Sequence, residues 1–300
     1  MRTWTFDPTG LAPILLAAAL YARRLATLQR RGHPPAWWKP ACFLGGLTVA
    51  TLAVVSPIDT LGEDRSFTAH MIQHLMLGDL APLLCVAGLS GPILRPMLAL
   101  PLIGRLRVLT HPWRALPIWS CNLALWHLPG AYQLALRNDT VHAIEHMCFF
   151  VGGALLWAAI LEPLPGPAWF GSGAKALYIL AVRGFDTLLA FAFVWSHAVF
   201  YPYYSHVAPL WGMSAIEDQN LGGIAMLAEG SIVTITAFLW LLWRWLSDGE
   251  LTAELVEAGI PENRAQRAVR YGRGATLAKT VRRSQVGAPA GAIRQPTGPR

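Results

Sequence analysis

The stretch "HAIEHMCFFVGGALLWAAIL", residues 142–161, decides the class of fold. After its first turn it carries no charged side chain, and roughly 20 apolar residues are what an α-helix needs to cross a bilayer. We therefore predict a membrane-spanning helix that opens with two histidines four residues apart. Because residues at i and i+4 share one helical face, both imidazoles should point the same way.

The composition of the whole chain agrees with an integral membrane protein. Of its 300 residues, 54% are hydrophobic and only 14% are charged, which is too apolar for an ordinary soluble domain. The net charge of +7 does not indicate nucleic-acid binding, because the basic residues gather in alternate loops and in the C-terminal segment. Four cysteines lie far apart without a CxxC pair, so no disulfide framework is implied.

Outward from residues 142–161, the same length criterion predicts an all-α, polytopic helical bundle with about seven transmembrane helices. The predicted spans cover about residues 8–28, 40–56, 68–89, 113–130, 142–161, 174–198 and 222–246. We expect residues 1–248 to form the transmembrane domain and residues 249–300 to form a basic cytoplasmic tail. The Gly/Pro-rich composition of that tail predicts that it is largely disordered.

The distribution of lysine and arginine predicts the orientation. Basic residues follow the first and third spans, precede the sixth and recur through the tail, whereas the opposite side holds only Arg2, Arg65 and Arg137 beside several acidic residues. Loops rich in lysine and arginine face the cytoplasm. The N-terminus is therefore predicted to be outside and the C-terminus cytoplasmic.

On this topology seven of the nine histidines fall at or near the outer face. The "HMIQH" that opens the third span and the "HAIEH" that opens the fifth should begin at one depth, since both spans run inward. A single histidine is comfortable at a membrane interface, but polar groups within spans are costly and tend to mark function. The predicted metal ligands are His70, His74, His127, His142 and His146.

Imidazoles bind copper, zinc, iron and nickel, and the Irving–Williams order favours copper at a nitrogen-rich site. A ligating imidazole usually donates its second ring nitrogen to a carboxylate, amide or carbonyl. The predicted partners of this kind are Gln73, Glu145, Asp218 and Gln219.

Five motifs in this order resemble the CtaG family of membrane cytochrome c oxidase assembly factors, over roughly residues 40–245. They are "HMIQHLMLGDLAPLL", "WHLPGAYQLAL", "HAIEHMCFFVGGALLWAAI", "YPYY" and "DQNLGG". The family's histidine motifs fall on the five predicted ligands, and its DQ motif falls on Asp218 and Gln219. One departure is Leu227, where the family pattern leads us to expect tryptophan.

The resemblance implies a non-enzymatic assembly factor of the respiratory chain, multi-pass in the bacterial plasma membrane. Such a metallochaperone would bind copper and supply it to the copper B centre of a terminal oxidase. The implied partners are the oxidase subunit that carries copper B, the lipid bilayer and an external copper chaperone, with no nucleic acid.

Two other chemistries fit clustered histidines. A b-type haem held between helices would make the protein an electron-transfer component, although one haem takes a single ligand per helix and the second histidine of each pair would be spare. "HAIEH" also matches the H-x-x-E-H motif of inverted zinc peptidases, in which Glu145 would be the base.

A transporter with a polar pathway is the third alternative, suggested by Asp79 in the third span and by "RGFD" in the sixth. Arg183 and Asp186 share a helical face, so the simpler expectation is that they neutralise one another or pair with Asp79.

Overall fold

The computed structural model describes residues 4–207 and 210–286, and within these residues the regular structure is entirely helical. The helices of the first half are α1 Pro8–Arg30, α2 Trp38–Val55, α3 Pro57–Asp64, α4 Phe67–Leu75, α5 Ala81–Ala87, α6 Gly91–Leu98, α7 Pro101–Leu106, α8 Pro112–Trp126 and α9 Pro129–Ala135. Those of the second half are α10 Asp139–Leu161, α11 Ser172–Trp195, α12 Ala215–Glu257, α13 Glu262–Arg270 and α14 Gly274–Val286.

Among the described residues, six segments are long and apolar enough to cross a membrane: Pro8–Arg30, Trp38–Val55, Phe67–Ala87, Asp139–Leu161, Ser172–Trp195 and Ala215–Glu257. They coincide with six of the seven predicted spans. The remaining one, predicted at 113–130, corresponds to α8, which has 15 residues and ends at Trp126. A helix of that length is about 22 Å long, so the count of seven stays a prediction, as does the orientation of the termini.

The described residues form two compact units. The first comprises the chain up to Phe170 together with Tyr178–Ile235, and the second comprises Gly171–Leu177 and the chain from Thr236 onward. Helices α11 and α12 each contribute to both units.

Small residues let the helices of the first unit approach closely. Helix α2 packs against α5, and a Cβ added at Gly46 would lie 2.7 Å from the backbone nitrogen of Cys85. Helix α10 packs on the segment between α4 and α5, where a Cβ at Gly153 would lie 2.9 Å from the carbonyl carbon of Gly78. Glycine is therefore required at both crossings, which is a common way of packing helices within a membrane.

The third span is interrupted by a π turn at Met76–Leu80, directly after the "HMIQH" helix. π turns insert one extra residue into a helix and occur frequently at functional sites. This turn places Asp79 toward α10, where the Trp157 indole nitrogen donates to Asp79 Oδ1 at 2.6 Å.

The intramembrane arginine has the partner that the sequence predicts. The Arg183 guanidinium forms an ion pair with Asp186 and donates to the Leu227 carbonyl at 2.8 Å and to Ser231 Oγ at 2.9 Å. The expectation that Arg183 and Asp186 neutralise one another is confirmed.

In the second unit, part of the segment predicted as the basic tail is helical. Residues 262–270 and 274–286 form α13 and α14, which pack against each other. Four apolar side chains are buried together there, namely Leu255, Ala265, Val269 and Ala278. Contributed by α12, α13 and α14, these side chains form a small core that the overall polar composition hides. Residues 287–300 of the predicted tail lie outside the described part of the chain.

Candidate metal centre

The first histidine pair lies on α4, whose start is fixed by two side chains. Ser66 is the N-cap and its Oγ accepts from the Ala69 nitrogen at 3.2 Å. Asp218 accepts from Ser66 Oγ at 2.9 Å and from the backbone nitrogens of Phe67 at 2.6 Å and Thr68 at 3.2 Å. A carboxylate at a helix N-terminus satisfies unpaired N–H groups and interacts favourably with the helix dipole.

The second pair lies at the start of α10. Asn138 is the N-cap of this helix, and its side chain accepts from the Val141 nitrogen at 3.1 Å. Residues His142, Glu145 and His146 therefore fall in the first two turns, at i, i+3 and i+4. These positions share one face of a helix.

Three imidazoles and one carboxylate meet where α4 and α10 face each other. Each of His70, His74, His142 and Glu145 offers one ligand atom, and these atoms all lie within 4.8 Å of one another. We call these four residues the His/Glu cluster. All four are buried, His70 and Glu145 completely.

Individual contacts define the interior of the His/Glu cluster. The Nε2 atoms of His70 and His74 are 2.8 Å apart. The carboxylate oxygens of Glu145 lie 4.0 Å from His70 Nε2 and 3.7 Å from His74 Nε2. Two imidazole nitrogens and a carboxylate thus converge on one small volume, which suits a cation.

The other two predicted ligands flank this cluster. The His146 ring lies 4.0 Å from that of His142 and 6.0 Å from that of His74, between centroids. The His127 ring lies 6.0 Å from that of His74, and its Nδ1 is 2.8 Å from the Leu123 carbonyl. The structure therefore brings all five predicted histidines together.

Several atoms of this region that could ligate a metal are buried without any hydrogen-bond partner among the described residues. They are His74 Nδ1, His127 Nε2, His142 Nε2, His146 Nε2 and both carboxylate oxygens of Glu145. A buried polar atom without a partner costs about 1–3 kcal/mol, and more when it is charged. Nitrogen and carboxylate donors left open in this way fit a bound metal ion of the type that imidazole prefers.

Two residues outside the predicted set contact the imidazoles. The Glu63 carboxylate contacts His142 Nδ1, and 38% of its side chain is exposed. The Tyr204 hydroxyl lies 3.4 Å from His70 Nδ1 and donates to the Gly62 carbonyl at 2.7 Å. Burial raises the pKa of Tyr204 well above its ordinary value, so this hydroxyl keeps its proton.

Glu63 and Tyr204 could have been noticed from the sequence, since Glu63 belongs to the acidic loop before "HMIQH" and Tyr204 belongs to "YPYY". No spacing rule connects either of them to a histidine. Glu63 reaches His142 because α3 folds back onto α4, and Tyr204 reaches His70 from a distant part of the chain.

The four predicted imidazole partners have different surroundings. Glu145 lies within the His/Glu cluster, where it can itself be a ligand. Gln73 is buried beside the cluster and its amide donates to the Ala53 carbonyl at 3.0 Å and to Asp59 Oδ1 at 2.5 Å. Burial, followed by the nearby Glu63 charge, raises the pKa of Asp59 to about 6.

Within the described residues, the side chains of the DQ motif form hydrogen bonds that hold backbone segments in place, and none of these bonds involves an imidazole. Asp218 caps α4 as described above. Gln219 accepts from the Phe200 nitrogen at 2.8 Å and donates to the Ala198 carbonyl at 3.2 Å. Both therefore position the elements that enclose the His/Glu cluster.

Aromatic side chains close one side of the site. Phe67, Met71, Tyr132, Tyr201 and Tyr204 belong to one buried cluster. The Met71 side chain packs in this cluster.

The six apolar spans and the buried His/Glu cluster define a polytopic membrane protein with a candidate metal centre. The family model described as cytochrome c oxidase caa3 assembly factor matches residues 19–248, and the chain belongs to this family.

Mycobacterial relatives share the same region. Uncharacterized proteins of Mycobacterium bovis and Mycobacterium tuberculosis are each 25% identical over 265 residues, which cover 82% of this chain and 40% of the relative. One of Mycobacterium leprae is 21% identical over 261 residues, covering 81% of this chain and 39% of the relative. The chain thus spans about 40% of the length of the curated relatives it matches. No solved structure matches the chain.

Proposed function

We propose that the protein binds copper at the His/Glu cluster and supplies it to the copper B centre of a terminal cytochrome c oxidase. The family establishes oxidase assembly as the general role. The observation that carries the copper step is the set of buried imidazole and carboxylate donors without hydrogen-bond partners in the described structure. Copper is then the cargo of the protein, and no catalytic step is required.

The ligands nearest to the cargo would be His70, His74, His142 and Glu145, because their donor atoms already lie within ligand spacing. His127 and His146 would be alternative ligands during transfer, since each has an open Nε2 beside the cluster. An oxidase subunit would receive the ion, and an external copper chaperone is a candidate source.

Glu63 is the natural entry point for the ion. Its carboxylate contacts the buried His142 while part of its side chain remains exposed. A carboxylate in this position can attract a cation from outside and orient the imidazole that receives it.

The test is metal analysis of the purified full-length protein for copper, zinc and iron, with an absorption spectrum for haem on the same sample. We expect copper to bind and His70→Ala, His74→Ala and His142→Ala each to lower its affinity. His33→Ala and His111→Ala are matched controls, because these exposed or half-exposed histidines lie outside the cluster, and they should leave affinity unchanged.

Cells that carry the cluster variants should make the oxidase but lack copper B activity at limiting copper, with protein abundance measured in parallel. Stable cluster variants that support full oxidase activity would contradict the proposal. A haem Soret band would favour the electron-transfer alternative instead, and zinc with a hydrolytic activity that is lost in Glu145→Gln would favour the peptidase.

We also propose that the cluster faces the outside of a bacterial plasma membrane. A reporter placed near residue 62 should then behave as external and one placed after residue 250 as cytoplasmic. The opposite pattern would place the cluster on the wrong side for an external copper supply.

A further inference from the structure

Beside the His/Glu cluster, the first unit contains a cavity of about 70 Å³. Its lining includes side chains of the metal centre at one end and charged side chains of three spans elsewhere. The charged and titratable lining residues are His74, Asp79, His127, Arg183, Asp186 and Glu229.

The charges around this cavity do not balance. Arg183 is already paired with Asp186. Two further carboxyl groups, Asp79 and Glu229, remain in the same cavity, whose lining among the described residues contains no arginine or lysine besides Arg183. Uncompensated carboxylates are very unfavourable within a membrane, so this region must hold at least one bound proton or cation.

Direct contact between Asp79 and Glu229 identifies the bound species. Their side chains are within hydrogen-bonding distance of each other, and two carboxyl groups can share a hydrogen bond only if one of them carries a proton. The Trp157 indole donates to Asp79 Oδ1 and so stabilises negative charge there. Glu229 Oε1 is buried without a partner among the described residues.

The same cavity provides a link to the metal centre. His74 and His127 line it, both are more than nine-tenths buried, and one nitrogen of each lacks a hydrogen-bond partner in the part of the chain that is described. Asp79 follows His74 by five residues in the same span, a separation of roughly 7 Å along the axis. Charges at that distance interact strongly in a medium of low dielectric constant.

We propose that Asp79 and Glu229 form a proton-binding site within the membrane, and that this site releases its proton when a cation binds at the His/Glu cluster. The pair holds the proton as a carboxyl group hydrogen-bonded to a carboxylate. A cation at the cluster makes the local potential more positive and so disfavours the proton, which leaves through the cavity to solvent. The second half of this proposal depends on the proposed function, whereas the first half does not.

Infrared spectroscopy of the copper-free, full-length protein in lipid nanodiscs tests the proton site. We expect a band from a protonated carboxyl group that loses intensity in Glu229→Gln and in Asp79→Asn. Glu217→Gln is the matched control, because this carboxylate lies on the same helix, is exposed and bonds to Ser214. An unchanged band in both variants of the pair would overturn the proposal.

Titration of the same samples with Cu²⁺ in a weakly buffered indicator solution tests the coupling. Metal binding to imidazole and carboxylate ligands releases protons in general, and we expect Glu229→Gln to bind copper but to release one proton fewer per ion than the wild type. Equal proton release would overturn the coupling. If Glu229→Gln does not fold, Asp79→Asn provides the same comparison.

The two proposals fail in distinguishable ways. If the wild type binds no copper, the coupling fails together with the proposed function, and the infrared result alone decides the proton site. If copper binds normally but neither the infrared band nor the proton count depends on Asp79 and Glu229, only the present inference fails.

Discussion

Replacing Asp218 by alanine should destabilise the start of α4 and weaken metal binding at a distance. The Asp218 side chain is 6% exposed and accepts hydrogen bonds from Ser66 Oγ and from the backbone nitrogens of Phe67 and Thr68. These groups belong to the first turn of the helix that carries His70 and His74. The alanine variant leaves them buried without an acceptor.

The expected magnitude follows from these three contacts. A hydrogen bond to a charged group contributes about 1.5–3 kcal/mol, and a buried donor without a partner costs about 1–3 kcal/mol. Because the three contacts share one carboxylate and are not additive, we expect Asp218→Ala to lower the free energy of unfolding by about 3–5 kcal/mol. That is a large fraction of the roughly 5–15 kcal/mol that stabilises a typical domain.

Thermal unfolding in detergent, followed by helical circular dichroism, measures this loss, and copper titration of the folded fraction measures the effect on the site. Asp218→Asn retains an acceptor without the charge, so its loss should be intermediate, at about 1–2 kcal/mol. Glu217→Ala is the neighbouring control, because that exposed side chain bonds only to Ser214 among the hydrogen bonds of the described residues, and it should lower the stability far less than Asp218→Ala.

If Asp218→Ala has the same unfolding temperature and the same copper affinity as the wild type, this reasoning is refuted. The helix start would then be fixed by Ser66 alone, and the family's DQ motif would need another explanation. A loss of copper binding at unchanged stability would instead indicate a direct role of Asp218 toward the ion.

Three further predictions concern other parts of the first unit. Arg183→Ala should reduce protein abundance and lower the free energy of unfolding by about 3–5 kcal/mol, because it leaves Asp186 unpaired in the membrane. The double variant with Asp186→Ala should recover part of this loss. Normal abundance of the single variant would show that the pair does not stabilise the fold. Glu63→Gln should lower copper affinity by about 10 to 100-fold at unchanged stability, because Glu63 orients His142, and an unchanged dissociation constant would exclude that role. The pKa of Asp59 is raised from 3.8 to about 6 in the folded protein, so folding favours its protonated form: its contribution to stability should decline as pH rises from about 4 to 6. Asp59→Asn should remove this part of the pH dependence in paired unfolding curves, and parallel curves for the two proteins would contradict the assignment.

The sequence by itself was sufficient for the membrane class, six of the spans and the grouping of the histidines. Apolar runs of bilayer length, such as residues 142–161, have few alternatives to a membrane helix, because their backbone groups must be satisfied within the segment. The i,i+4 spacing of "HMIQH" and "HAIEH" placed each pair on one face, and the equal position of both pairs within their helices brought them to one level. The pairing of Arg183 with Asp186 followed from the same helical periodicity.

Composition was a poorer guide where a small set of positions decides the structure. The tail residues 262–286 are polar on average, yet Ala265 and Val269, four apart on α13, are buried with Ala278 of α14 and with Leu255. Averages over a segment do not record that spacing. Likewise the length of the segment 113–130 did not reveal that its helix α8 ends at Trp126.

Only the tertiary structure decided which side chains meet across helices. It placed Glu145 among the ligand atoms, brought Glu63 from α3 to His142, used Asp218 to cap α4 and put Glu229 of α12 beside Asp79. Helical periodicity fixes the direction of a side chain relative to its own axis, but the rotation and depth of each helix in the bundle depend on close packing at residues such as Gly46 and Gly153. Contacts between residues far apart in the chain depend on that packing, so no local pattern in the sequence encodes them.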